Sequence, residues 1–167
     1  MLSVVRLFAM LVALGLGPAA GYAQGAAVSF GGLKQDTTLP VQVSADQLSV
    51  NQADGNAEFS GNVVVTQGEM KLTAGKVAVE YNQDRSSIAR LFASEGVTIV
   101  NPTDAAESLE AVYTIDDGQV VMTGDVLLTQ GASALSGQKL VINLKTGLGT
   151  MAGRVQTVFQ PAGKVKK

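Results

Sequence analysis

The chain has 167 residues, 46% of them hydrophobic, which suffices for one domain with a core or an apolar lining. Twelve basic residues stand against fourteen acidic ones, so there is no excess of positive charge of the kind nucleic-acid binding requires, and no nucleic-acid partner is expected. Cysteine and histidine are both absent, which removes disulfides, thiol chemistry, most zinc sites and the commonest general base.

The N-terminus reads as a secretory signal. Arg6 supplies the positive charge, Leu7 to Leu16 an apolar stretch, and Pro18 to Ala23 the small residues of a cleavage site, placed between Ala23 and Gln24. The apolar stretch is shorter than the roughly 20 residues that span a bilayer, which favours cleavage over a retained anchor. Loss of residues 1–23 removes one charge, Arg6, and leaves eleven basic against fourteen acidic residues. With no cysteine, an exported chain of this kind draws its stability from its sheet and packing.

Gln24 to Leu39 shows no sustained period and reads as a flexible lead-in closed by Pro40. From Val41 apolar residues alternate: Val41, Val43 and Ala45 on one parity, Leu48 and Val50 on the other, predicting a strand pair with a bend near Asp46. Ala53 to Asn56 is turn sequence. Alternation then resumes through Phe59, Gly61, Val63 and Val65, turns at Gln67-Gly68-Glu69, continues through Met70, Leu72 and Ala74, changes parity at Gly75 and runs on through Val77, Val79 and Tyr81.

That stretch occurs twice. Phe59 to Tyr81 aligns with Met122 to Leu144 at a shift of 63, with Gly61-Asn62-Val63 over Gly124-Asp125-Val126 and Thr66-Gln67-Gly68 over Thr129-Gln130-Gly131. A fainter copy lies in Ile88 to Val100, where Gly96 stands for Gly61. Thr103 to Ala111 favours helix by local propensity, yet strand sequence surrounds it and predicts only a loop or single turn there. Tyr113 to Ile115 restores strand, Asp116 to Gly118 turns, and a last strand pair runs from Leu148 to Phe159 before Pro161 and a basic tail. Many short strands with polar turns every eight to twelve residues predict an all-β domain built by repetition.

An enzyme is the weaker reading. Asp46, Asp54, Glu58, Asp104, Asp116 and Asp117 fall mostly in predicted turns, where Asp serves the backbone. No nucleophile elbow, phosphate loop or dinucleotide fingerprint occurs, so no catalytic residue, cofactor or metal is expected. A polysaccharide-acting β-helix enzyme would need carboxylates or basic residues clustered on one exposed face. Phe59, Val63, Val65, Leu72, Val77, Val79, Ile99, Tyr113, Ile115, Val126, Leu128, Leu140 and Ile142 would instead all point inward in a wrapped sheet. Periodicity alone leaves open whether they form an ordinary packed core or line a ligand cavity.

Ala45-Asp46, Ser60 to Gly68, Leu72-Thr73-Ala74, Lys76-Val77 and Met122 to Val126 together resemble the OstA-like family; the resemblance covers nearly all of the chain that follows the signal and implies a family domain over residues 40–160. The match is poorer in Asn82 to Ala106, and the C-terminal tail is shorter and less polar than the family pattern. The resemblance implies a twisted antiparallel β-jellyroll, open at both ends, in the periplasm. Its interior would hold the lipid A acyl chains of lipopolysaccharide and carry that lipid from an inner-membrane export complex to an outer-membrane translocon. The implied lipid-contacting residues are Val41, Val43, Ile99, Tyr113 and Ile115 with Phe59, Val63, Val65 and the rest of the inward set. The implied assembly edges are Val41, Val43, Leu48 and Val50 towards the inner-membrane subunit, and Val155, Val158 and Phe159 towards the translocon or the next copy of the chain, head to tail. The alternatives are the membrane-anchored inner partner of the same pathway and a structural β-repeat envelope protein with a dry core.

Overall fold

A computed structural model describes residues 26–29, 33–51, 55–84 and 86–158. Residues 1–23, read above as a secretory signal, and Asp54, Phe159 and the basic tail lie outside them. The strands are β1 (Ala26–Ser29), β2 (Gln42–Ser44), β3 (Gln47–Val50), β4 (Ala57–Gln67), β5 (Met70–Tyr81), β6 (Ile88–Ser94), β7 (Val97–Val100), β8 (Asp104–Ser108), β9 (Glu110–Thr114), β10 (Gln119–Gln130), β11 (Ser133–Asn143), β12 (Leu148–Ala152) and β13 (Gln156–Val158). Every described pairing is antiparallel.

The repeated Gly-Asn/Asp dipeptide is the corner of the fold. The ladder between β4 and β5 shifts register between Ser60 and Val63, and that between β10 and β11 shifts between Thr123 and Val126. At those points Gly61 and Asn62 have φ of 75 and 46, and Gly124 and Asp125 have 83 and 47. This left-handed region costs an ordinary L-residue about 1–2 kcal/mol, and Gly, Asn and Asp tolerate it best. Space adds a second reason at Gly61, where a Cβ would stand 2.7 Å from Asp46 Oδ2.

The corners of neighbouring strands line up in a seam. Asp46 N donates to Gly61 O at 2.9 Å, Leu109 N to Gly124 O at 3.0 Å and Gln138 N to Gly153 O at 3.1 Å. On one side of the seam, β3, residues 57–60 of β4, residues 76–81 of β5, β6, β9, residues 119–123 of β10, residues 139–143 of β11, β12 and β1 form one layer in that order. On the other side, β2, residues 63–67 of β4, residues 70–74 of β5, β7, β8, residues 126–130 of β10, residues 133–137 of β11 and β13 form the second. Away from the seam each layer ends in a row of turns. The result is a jellyroll folded along one long side, with the core between its layers.

Two expectations are corrected. Thr103 to Ala111, read as a loop or single turn, contains β8 and the start of β9. Ala106 sits between Ile99 of β7 and Leu128 of β10. Without β8, those two neighbours would each leave an unpaired backbone edge in mid-layer, and buried backbone groups must pair. Helix preferences below about 0.7 kcal/mol per residue do not outweigh that. The lead-in is also structured where it is described: Ala26–Ser29 pair with β12, and Leu33 is buried.

Candidate functional site

The interior follows from strand parity carried through the corners. On β4 the inward positions are Ala57, Phe59, Val63, Val65 and Gln67, and on β5 they are Met70, Leu72 and Ala74, then Val77 and Val79 once the corner has switched parity. Val63, Val65, Leu72, Val77, Val79, Ile99, Tyr113, Val126, Leu128, Leu140 and Ile142 are all at most 2% exposed and share one cluster. Val41, Val43, Phe59 and Ile115 are partly buried against it, Ile115 one residue beyond the end of β9. The structure thus brings every expected interior residue into one continuous aliphatic interior.

Other members of the lining escaped the sequence reading. Leu91, Val120, Met122, Leu144 and Met151 are buried in the same cluster, and extending the alternation along β6, β10, β11 and β12 would have found the strand residues among them. Gln67 is the informative omission. It is 1% exposed, although polar, and it occupies an inward position in line with Val63 and Val65. A glutamine on an apolar parity was the available signal.

Gln67 is fully engaged. Its Oε1 accepts from Tyr113 Oη at 2.7 Å and from Gln35 Nε2 at 3.1 Å, and its Nε2 donates to the carbonyl oxygens of Thr37 at 2.9 Å and Leu39 at 2.8 Å. Tyr113 belongs to the other layer, so this bond spans the interior. Burial pushes the Tyr113 hydroxyl up to about 12, with its hydrogen bonds to Gln35 and Gln67 acting the other way.

The ends differ from each other. β2 and β3 each pair only with β4 among the described strands. Leu48 and Val50 oppose Phe59 and Ala57, so they face the interior side, yet they are 57% and 56% exposed, since among the described residues no further strand pairs with β3. At the far end, among the described strands, β13 pairs only with β11, and Val158 is 64% exposed while Val155 is partly buried against the core. The expectation for this end named only Val155 to Phe159. The outer side of β12 in the other layer also belongs to it, and there β1 is paired.

Among the described residues no cluster of carboxylates is placed to hold a metal. Asp46 instead serves the seam, accepting from Asn62 Nδ2 at 2.8 Å. No helix among them is long and apolar enough to cross a membrane.

The fold and its interior define a class: an antiparallel β-jellyroll with a continuous apolar interior between two layers and exposed strand edges at its ends. The profile of the LptA/(LptD N-terminal domain) LPS transport protein family matches residues 42–148, and the chain belongs to that family, one of transport proteins and not of enzymes. It is 29% identical over 139 residues to the lipopolysaccharide export system protein LptA of Escherichia coli K12, covering 76% of this chain and 74% of that protein. It is 26% identical to the lipopolysaccharide export system protein LptH of Pseudomonas aeruginosa, covering 80% and 86%. An uncharacterised protein of Rhizobium meliloti is 28% identical over 95% of this chain and 94% of its own length. The crystal structure of LptH, described as the LptA-homologous periplasmic component of a lipopolysaccharide transport device, superposes with a TM-score of 0.68 over 75% of this chain and 99% of that one, at 22% identity.

Proposed function

We propose that the protein is a periplasmic bridge that shelters the acyl chains of lipopolysaccharide between an inner-membrane export complex and an outer-membrane translocon. The observation that carries this reading is the aliphatic interior continuous with the apolar side chains at the β3 end, Leu48 and Val50. Each methylene removed from water is worth about 0.8 kcal/mol, so an acyl chain of a dozen carbons needs roughly 10 kcal/mol of shelter on its way across an aqueous space. A lining of Val, Leu and Ile offers similar free energy at each rung and lets the chain advance. The unpaired edges of β2 and β3 suit strand addition to the inner-membrane subunit, and the β13 and β1 end suits the translocon or the next copy.

A dry structural core is the competing reading, favoured by lining residues that are 0–2% exposed. Mass spectrometry of the protein purified under mild conditions separates them. Stoichiometric co-purifying lipopolysaccharide is the expected result, and none across several mild preparations would leave the dry core standing.

A further inference from the structure

The segment Leu33–Leu39 crosses between the two rows of turns. Leu33 is buried, and Gln35 N donates to Leu144 O in a turn of the first layer at 2.9 Å. The Thr37 methyl lies beside Gly118 in another turn of that layer. On the second layer, Gln67 Nε2 holds the carbonyl oxygens of Thr37 and Leu39, and the Leu39 side chain lies against Gly68. The segment therefore closes the long side opposite the seam.

With the interior side chains almost fully buried, an acyl chain advancing from the β3 end needs the two layers to part, and the closure by residues 33–39 stands against their parting. The seam cannot provide the opening, because β4, β5, β10 and β11 pass through it covalently. We propose that residues 33–39 form a latch on the interior, which lifts to admit an acyl chain, and that Gln67 is the catch that holds it. The proposal rests on the reading of the interior as an acyl-chain path.

Three features suit a latch rather than a fixed wall. The strands are held by ladders, whereas among the described residues one backbone hydrogen bond, from Gln35 N, ties 33–39 to either layer. Gln35 Oε1 is buried without a partner, a desolvation cost that opening relieves. The exposed tip is self-contained: Asp36 Oδ1 accepts from Thr38 N at 2.9 Å and Thr38 Oγ1 at 2.6 Å, and these bonds hold its carboxyl below the usual range. β1 on β12 and β2 on β4 tether the segment at both sides, so it can lift as a loop and return. On lifting, the Thr37 and Leu39 carbonyls turn to water, and Gln67 keeps Tyr113 as a partner.

The test uses the absence of native cysteine. Thr37 Cγ2 lies 3.2 Å from where a Gly118 Cβ would stand, close enough for a Thr37→Cys/Gly118→Cys disulfide; Gly118 has φ 64 and its Cβ would stand 2.9 Å from the flexible Lys145 side chain, a strain that the reduced pair carries equally and so controls for. Binding of fluorescently labelled lipopolysaccharide is measured by anisotropy for the wild type and for the pair, reduced and oxidised. Wild type and reduced pair bind, and oxidation weakens binding by at least tenfold. In parallel, hydrogen exchange at the Gln35 amide quickens in Gln67→Leu, and lipid associates faster with that variant. An oxidised pair that binds like the reduced one, or unchanged Gln35 exchange and association in Gln67→Leu, overturns the latch while leaving the acyl-chain path intact. A wild type that binds no lipopolysaccharide overturns both.

Discussion

The Tyr113 hydroxyl donates to Gln67 Oε1 across 2.7 Å, joining β9 of one layer to β4 of the other inside an otherwise aliphatic interior. Gln67 is a hub, since it also receives Gln35 and holds two backbone carbonyls. A buried hydrogen bond contributes about 1 kcal/mol net, and more when its loss strands a partner. In Tyr113→Phe, Gln67 Oε1 retains Gln35, so the unfolding free energy should fall by about 1 kcal/mol in urea titration. Gln67→Leu removes every bond at once and should cost at least as much.

Tyr113 also sets a pH dependence. Burial raises its pKa from 10.0 to about 12. Below pH 10 the hydroxyl is protonated in both folded and unfolded chains and contributes no slope. Between pH 10 and about 12 the unfolded chain releases the proton and the folded one retains it, so stability falls as pH rises through that window. Urea midpoints measured from pH 8 upward should show this fall, and Tyr113→Phe should show a smaller one.

Gly131, in the turn between β10 and β11, and the corner Gly124 separate strain from contact. Gly131 has φ 55 with open space around a would-be Cβ, whereas Gly124 has φ 83 and a would-be Cβ 2.9 Å from Leu109 Cβ. Gly131→Ala should cost about 1–2 kcal/mol for the left-handed backbone alone. Gly124→Ala should cost at least about 1 kcal/mol more, because a packed side chain has to move as well. Paired denaturation curves decide it.

The β3 end predicts a separation of stability from assembly. Leu48 and Val50 are more than half exposed, so Leu48→Asp with Val50→Asp should change stability by about 0.5 kcal/mol or less each. The same double variant should lose concentration-dependent end-to-end association in sedimentation velocity, since charge on an exposed edge opposes strand pairing. By contrast, Leu128→Ala, in the buried lining, should cost about 2–5 kcal/mol.

Much of this architecture was legible in the sequence because its cause is local. The Gly61-Asn62 and Gly124-Asp125 corners are written in residues that tolerate positive φ, and alternation marks Val63, Val65, Leu72, Val126 and Leu128 as inward. β8 was not legible, because Ala105, Ala106 and Glu107 carry helix propensity and become strand only through the edges of β7 and β10. Leu33–Leu39 escaped for a related reason: the segment has no period of its own, and its partners, Gln67 and Leu144, are distant in the chain. Alternation likewise does not encode whether the interior is a packed core or a path for lipid.

The central claim is tested most directly on β7, where Ile99 is 1% exposed in the lining and its neighbour Thr98 points to the outer face. A photo-crosslinking residue is placed at each position in turn and irradiated in cells. Lipopolysaccharide adducts at Ile99 and not at Thr98 are the predicted result. Adducts to protein alone at Ile99 and at other inward positions such as Tyr113, or equal lipid labelling at Thr98, would contradict an acyl-chain path through the interior.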